Sequence, residues 1–261
     1  MSAPISPNDK RTPGTRVLVC GASSGIGKAT AHRFAGEGWR VCLLARRQAQ
    51  LEQLRAQLPG DGHLVIAGDY SAPATAAEIT RTIRHAWDGL DAVVNSAGVV
   101  GPAQAVDSDI AQWRKPFDIM VNGATYLTRA VVPLMAEGGR LVHVTSIHSQ
   151  RAERLASAYG MAKAAIEQYC RSLALELADK RILVNAIAPG FVRTPMSTVD
   201  GVNELETEWF HANYVQGDHL PLRRAAEPKE IAGVAYFLCG PDATYITGQV
   251  LVVDGGLTIT F

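Results

Sequence analysis

Short, continuous apolar runs separated by helix-length stretches constrain this chain more than any other feature. The runs fall at 17–20, 41–45, 64–67, 92–94, 141–145, 182–188 and 250–253. They do not alternate with polar residues, as strands open to water on one face would. Continuous runs are expected of strands covered on both faces, which is the situation in a parallel sheet. Parallel neighbours need long crossovers, and the intervening stretches supply them as helices. Candidate helices lie at 26–37, 49–58, 74–87, 109–136, 157–178 and 229–238. The pattern predicts an α/β fold: a Rossmann-type doubly wound parallel sheet of about seven strands with helices on both faces.

One stretch interrupts the rhythm. Between Pro189 and Pro228 there is no strand signal, and Trp209, Phe210 and Tyr214 are scattered among charged residues. That is too long for an ordinary connection. Residues 190–225 are therefore read as a lid of one or two short helices over a substrate cleft. Residues 1–14 hold three prolines and polar residues and are read as a flexible tail. Residues 15–261 are expected to form one domain, a size at which alternating α/β chains bury a substantial core.

Composition narrows the function classes. Lys+Arg and Asp+Glu are equal at 25 each, so no global field attracts nucleic acid or an anionic membrane. No apolar run is long enough to span a bilayer. The four cysteines form no CxxC pair and no metal knuckle, and they are read as small buried hydrophobes of a cytoplasmic protein. The seven histidines show no metal-binding spacing.

The first run leads directly into Gly21-Ala22-Ser23-Ser24-Gly25-Ile26-Gly27 and then a helix. Glycines in such a loop permit a tight turn and let backbone N–H groups approach a pyrophosphate, and the helix N-terminus adds positive potential. Position between first strand and first helix points to a dinucleotide loop, against the reading of a mere strand–helix turn. The second run ends Leu44-Ala45-Arg46-Arg47. An acid there would bond a ribose 2′-hydroxyl and repel a 2′-phosphate. Alanine followed by arginine favours NADP(H), with NAD(H) as the alternative. Against this stands the reading that Arg46 and Arg47 are solvated residues at a helix start.

Tyr159 and Lys163 are four residues apart, on one face of a helix. A phenol has a pKa of about 10, and a neighbouring cation is expected to lower it. Ser146 directly follows the apolar run 141–145, at the carboxyl end where parallel sheets bind ligands, and precedes Tyr159 by 13 residues. Its hydroxyl can bond a reacting oxygen. Asn122 followed by Gly123 is unfavourable within a helix and points to a kink or a held water.

These motifs resemble the short-chain dehydrogenase/reductase family in its compact single-domain form, over about residues 15–257. The family's glycine motif corresponds to Gly21, Gly25 and Gly27, and its Asn-Ser-Tyr-Lys tetrad to Asn122, Ser146, Tyr159 and Lys163. Asp69 corresponds to the adenine-side acid, and Asn95-Ser96-Ala97-Gly98 to the segment beneath the adenine. Pro189, Gly190, Val192 and Thr194 match the nicotinamide-side loop. Cofactor contacts are thus expected from Gly21, Ser23, Ser24, Gly25, Ile26, Gly27, Arg46, Asp69, Asn95, Ala97, Gly98, Tyr159, Lys163, Pro189, Gly190, Val192 and Thr194. Cys20 and Ser96 depart from the family, which usually has Thr and Asn there.

The resemblance implies hydride transfer between NADP(H) and a small ketone or secondary alcohol, such as a 3-oxoacyl, sugar or polyol substrate. It implies that Tyr159 exchanges the proton, Ser146 holds the substrate oxygen, Lys163 tunes Tyr159 and binds ribose, and Asn122 holds a water. It also implies a homotetramer or a homodimer. An NADP(H) sensor without turnover is the competing reading. His148, two residues past Ser146, either touches substrate or faces solvent. Arg151 and Arg154 either bind an anionic group or form a solvated loop face. Trp209, Phe210 and Tyr214 either line a pocket or seat the lid.

Overall fold

Strand β1, Arg16–Cys20, is paired on both sides, by β2 (Arg40–Ala45) and by β4 (Leu90–Asn95). β3 (Leu64–Ala67) closes one edge beyond β2. On the other side follow β5 (Met135–Val144), β6 (Leu183–Pro189) and, at the far edge, β9 (Val250–Val253). All six pairings in this seven-stranded sheet are parallel. The computed structural model describes residues 15–199 and 201–260. The tail expected at 1–14 lies outside the described residues.

Alternate residues of the strands feed two separate cores, which is why the runs are continuously apolar. Leu18, Cys20, Cys42 and Leu44 face one core, against Ile79 and Ile83 of α3 (Pro73–Ala86), Leu127 of α5 (Asn122–Val131) and Ile166 of α6 (Ser157–Glu176). Val17, Val19, Val41 and Leu43 face the other, against Phe34 of α1 (Gly25–Gly36), Leu51 of α2 (Gln48–Gln57) and Ile231 of α8 (Pro228–Cys239). All four cysteines are buried and free.

The chain winds outward from β1 to β3 and then returns to β4. Between the carboxyl ends of β1 and β4 the crossovers leave in opposite directions and open a crevice. The glycine loop after β1 and residues 96–98 after β4 both reach that crevice.

Two expectations need correction. The single helix expected at 109–136 is broken into α4 (Ile110–Pro116), a π turn (Phe117–Val121), α5 and a short turn (Val132–Leu134). Pro116 lacks an N–H and interrupts the ladder, and Pro133 does so again. Met135 and Ala136 belong to β5. The second correction concerns the stretch after Pro189, which does contain strands. β7 (Thr198–Val199) and β8 (Val202–Asn203) form a small antiparallel hairpin, and Val192 bridges Ala226. Two-residue strands bury too little to leave a periodic signature.

Past the hairpin come α7 (Glu208–Phe210) and a π turn (His211–Gln216). Phe210 is buried with Leu205, Leu220 and Ala225, and Phe191 and Tyr214 pack against that cluster. Phe210 and Tyr214 therefore seat this segment, while Trp209 is 61% exposed and meets Tyr214 edge-on.

Candidate functional site

The glycine loop is shaped by close approach. A Cβ on Gly27 would lie 2.2 Å from the Gly21 carbonyl oxygen and 2.6 Å from Ser96 Oγ. Gly21 itself has φ +80 and lies against the backbone of Ser96 and Ala97. Ser96 earns its place here as a small residue: its hydroxyl donates to the Cys20 carbonyl at 2.7 Å, and its N–H donates to the same oxygen at 3.0 Å. The departure from asparagine thus ties the end of β1 to the loop after β4.

This cradle opens into a cleft lined by Gly21, Ser23, Ser24, Gly25, Ile26, Gly27, Arg46, Asp69, Ala97, Gly98 and Thr194, all expected from the sequence. The opening also exposes Arg47, Tyr70, Val99, Ile119 and Met196. Six expected residues do not line this opening: Tyr159 and Lys163, described below, and Asn95, Pro189, Gly190 and Val192. Asn95 is buried, faces His143 Nδ1 at 3.2 Å and accepts from the Ala97 N–H. Pro189 ends β6, Gly190 packs on Asp254, and Val192 is held by its bridge to Ala226.

Arg47 is more than a solvated residue at a helix start. Its guanidinium donates to Ser23 Oγ at 2.8 Å and Ser24 Oγ at 3.1 Å, tying it to the glycine loop. The doubled arginine is the sequence signal; the fold puts both on the cleft and ties Arg47 to the loop. Asp69 accepts from the Ser71 hydroxyl and N–H at 2.7 and 2.9 Å. Those bonds, with Arg46 nearby, hold its carboxyl below the usual range. A backbone cradle without side chains, hydroxyls, two arginines and a carboxylate suit a dinucleotide.

Tyr159 and Lys163 share one face of α6, with Lys163 Nζ 5.5 Å from the phenol ring centre. Lys163 is 4% exposed and donates to the Val144 carbonyl at 2.9 Å. A Cβ on Gly98 would lie 3.5 Å from its ammonium, so the lysine adjoins the cleft wall. Ser146, 8% exposed, follows β5 and accepts from the His148 N–H.

Burial pushes the Tyr159 hydroxyl up to about 12, and the Ser146 hydroxyl beside it pulls the other way. Lys163 is itself buried, and that burial brings its pKa down to about 8.

Asn122 opens α5 just after the π turn and is exposed. The glycine beside it has a packing cause: the Tyr70 ring lies 2.5 Å from where a Gly123 Cβ would stand. His148 meets Tyr159 edge-on at 5.8 Å, and its Nε2 lies 2.9 Å from Glu153 Oε2. Arg151 donates to the Thr258 carbonyl. Among the described residues no group of acidic, histidine or cysteine side chains could hold a metal, and no helix is long and apolar enough to cross a membrane.

A family model described as enoyl-(acyl carrier protein) reductase matches residues 21–258. Glucose 1-dehydrogenase of Gluconobacter oxydans is 36% identical over 97% of this chain and 96% of its own length. Galactitol 2-dehydrogenase (L-tagatose-forming) of Cereibacter sphaeroides is 35% identical over 95% and 97%. The crystal structure of L-sorbose reductase from Gluconobacter frateurii, complexed with NADPH and L-sorbose, superposes with a TM-score of 0.88 at 31% identity, covering 97% of this chain and all of that one. The chain belongs to the short-chain dehydrogenase/reductase family. It is an oxidoreductase that acts on CH–OH groups with a nicotinamide dinucleotide.

Proposed function

We propose that this enzyme reduces the carbonyl of a sugar or polyol-derived ketone with NADPH, and runs the reverse oxidation, using Tyr159 as the proton-transferring group. The observation that carries this is the half-buried phenol beside the buried ammonium on α6, set near Ser146 and the cleft wall at Gly98. When bound, the reduced nicotinamide supplies the hydride to the carbonyl carbon. Tyr159 gives its hydroxyl proton to the carbonyl oxygen as the alcohol forms, and Ser146 holds that oxygen by a hydrogen bond. With its pKa near 12 the phenol is protonated at neutral pH, as the reductive direction requires. Oxidation needs the phenolate, and so gains as pH rises. Lys163 would grip the ribose, and Asn122, at the solvent edge, would pass protons inward through water.

Preference for NADP(H) is supported by Ala45 where an acid would refuse a 2′-phosphate, and by Arg46 and Arg47 on the cleft wall. The sugar class is supported by the names of the relatives. His148, against the Tyr159 ring, is placed to meet a substrate hydroxyl. The segment at 190–225 serves as the lid of a single-domain enzyme. A cytoplasmic homotetramer or homodimer accords with the family, and the exposed Leu175 on α6 and Tyr245 near β9 supply apolar surface for it.

The test is a panel read by NADPH absorbance: L-sorbose and L-tagatose for reduction, glucose and galactitol for oxidation with NADP and with NAD. Tyr159→Phe is expected to bind NADPH normally and lose turnover by about a hundredfold or more. Wild-type turnover in that variant, or no turnover of any panel compound by the native enzyme, would refute the proposal.

A further inference from the structure

Helix α6 carries a third polar residue on the face of Tyr159 and Lys163. Glu167 is one turn beyond Lys163, and it is 3% exposed. Burying a carboxylate costs several kcal/mol before its contacts offset it, and a leucine would fill the same volume more cheaply. What an apolar residue could not do is accept hydrogen bonds. Glu167 Oε1 lies 3.0 Å from Thr145 Oγ1 and 2.5 Å from Ser149 Oγ. These two hydroxyls flank Ser146 in the sequence. Each hydroxyl carries one proton, shared between this carboxylate and a backbone carbonyl: Ile187 at 3.0 Å for Thr145 and Ser146 at 2.7 Å for Ser149. Arg171, at 3.9 Å from Oε2, is the outward partner.

The same seam is tight elsewhere. A Cβ on Gly160, the residue after Tyr159, would stand 2.6 Å from the His148 carbonyl oxygen. The turn that follows Ser146 (Ile147–Ser149) is therefore pressed against α6 at its Tyr159 end and tied to it at its Glu167 end.

We propose that Glu167 is a positioning residue: its carboxylate joins the turn bearing Ser146 to the helix bearing Tyr159 and Lys163, and so fixes the separation of the two hydroxyls that meet the substrate oxygen. This rests on the roles given above to Ser146 and Tyr159. Catalytic geometry is steep in distance: a displacement of about 1 Å can cost a hundredfold in rate. Glu167 also faces Lys163 electrostatically, together with His143 from β5, His148 from the turn and Tyr159 from the same helix. Its negative charge opposes the downward pull of burial on Lys163.

The experiment compares Glu167→Ala, Glu167→Gln and Tyr159→Phe with the native enzyme, using NADPH and the most rapidly reduced panel carbonyl. Glu167→Ala is expected to lose about ten- to a hundredfold in kcat with the KM for NADPH within about threefold. Glu167→Gln keeps the acceptor oxygen and is expected to recover kcat to within about threefold. Without the charge, the limb of its pH profile governed by Lys163 moves to lower pH. Should Glu167→Ala not fold, Thr145→Val and Ser149→Ala each remove one tie, and each is expected to lower kcat severalfold. Wild-type kcat in the folded alanine variant, or in both tie variants, overturns the proposal. So does a glutamine variant as slow as the alanine one with an unmoved profile. If Tyr159→Phe is inactive while the Glu167 variants match wild type, only the positioning role fails. If Tyr159→Phe stays active, the reading of the site fails first.

Discussion

Two glycines of one helix should respond to alanine with opposite signs. Gly27 and Gly36 both lie in α1, and neither has a positive φ. On helix propensity alone, each replacement would stabilise by up to about 1 kcal/mol. At Gly36 nothing lies within 4 Å of the new Cβ, so that gain is expected to survive, raising Tm by a few degrees. At Gly27 the methyl would meet the Gly21 carbonyl oxygen at 2.2 Å, its carbon at 2.6 Å and Ser96 Oγ at 2.6 Å. Two of these atoms are backbone and cannot rotate away. Overpacking of this kind costs roughly 1–3 kcal/mol and exceeds the propensity gain.

A net loss of about 1 kcal/mol corresponds to roughly 2–4 °C in Tm for a chain of this size. The loop that must move is the phosphate cradle itself, so NADPH affinity is expected to fall more than tenfold, about 1.4 kcal/mol or more. Thermal melts with and without NADPH, and a fluorescence titration of the nucleotide, read both quantities. A Gly27→Ala variant with native Tm and native NADPH affinity would refute the close-approach explanation of the glycine loop.

Further expectations follow from the same geometry. Arg47→Ala removes two charge-assisted bonds to Ser23 and Ser24, and kcat/KM for NADPH should fall by about ten- to a hundredfold. Equal losses for NADPH and NADH would show that the arginine only shapes the loop. His143 is fully buried, and desolvation holds its pKa down to about 4 from an unfolded value near 6.5. Below pH 6.5 the unfolded chain takes up a proton that the fold refuses. The associated stability is complete above pH 6.5 and is lost as pH falls toward 4, by up to about 3 kcal/mol. Urea unfolding between pH 7.5 and 4.5 should show this slope, and His143→Gln should flatten it; an unchanged slope would assign the effect to other groups. Oxidation rates should rise with pH above neutrality, because burial keeps Tyr159 protonated there.

The order of continuous apolar runs was enough to determine a parallel sheet, because strands buried on both faces cannot afford polar residues. The glycine spacing located the phosphate loop, since close backbone approach admits only glycine there. The Tyr159–Lys163 spacing placed both groups on one helical face. These are short-range constraints, written within a few residues of each other. The breaks at Pro116 and Pro133 and the small hairpin at Thr198–Asn203 were harder to read, because local periodicity there is too short or is overridden by packing.

Tertiary structure alone decided which groups from distant segments meet. Arg47 turns onto Ser23 and Ser24 across the loop, and Ser96 bonds the Cys20 carbonyl 76 residues away. Glu167 reads as one more charge on a helix until β5 brings Thr145 and Ser149 to it. The phenol pKa likewise depends on the burial that the whole fold imposes. Spacing fixes direction along one element; desolvation and partner choice belong to the packed molecule.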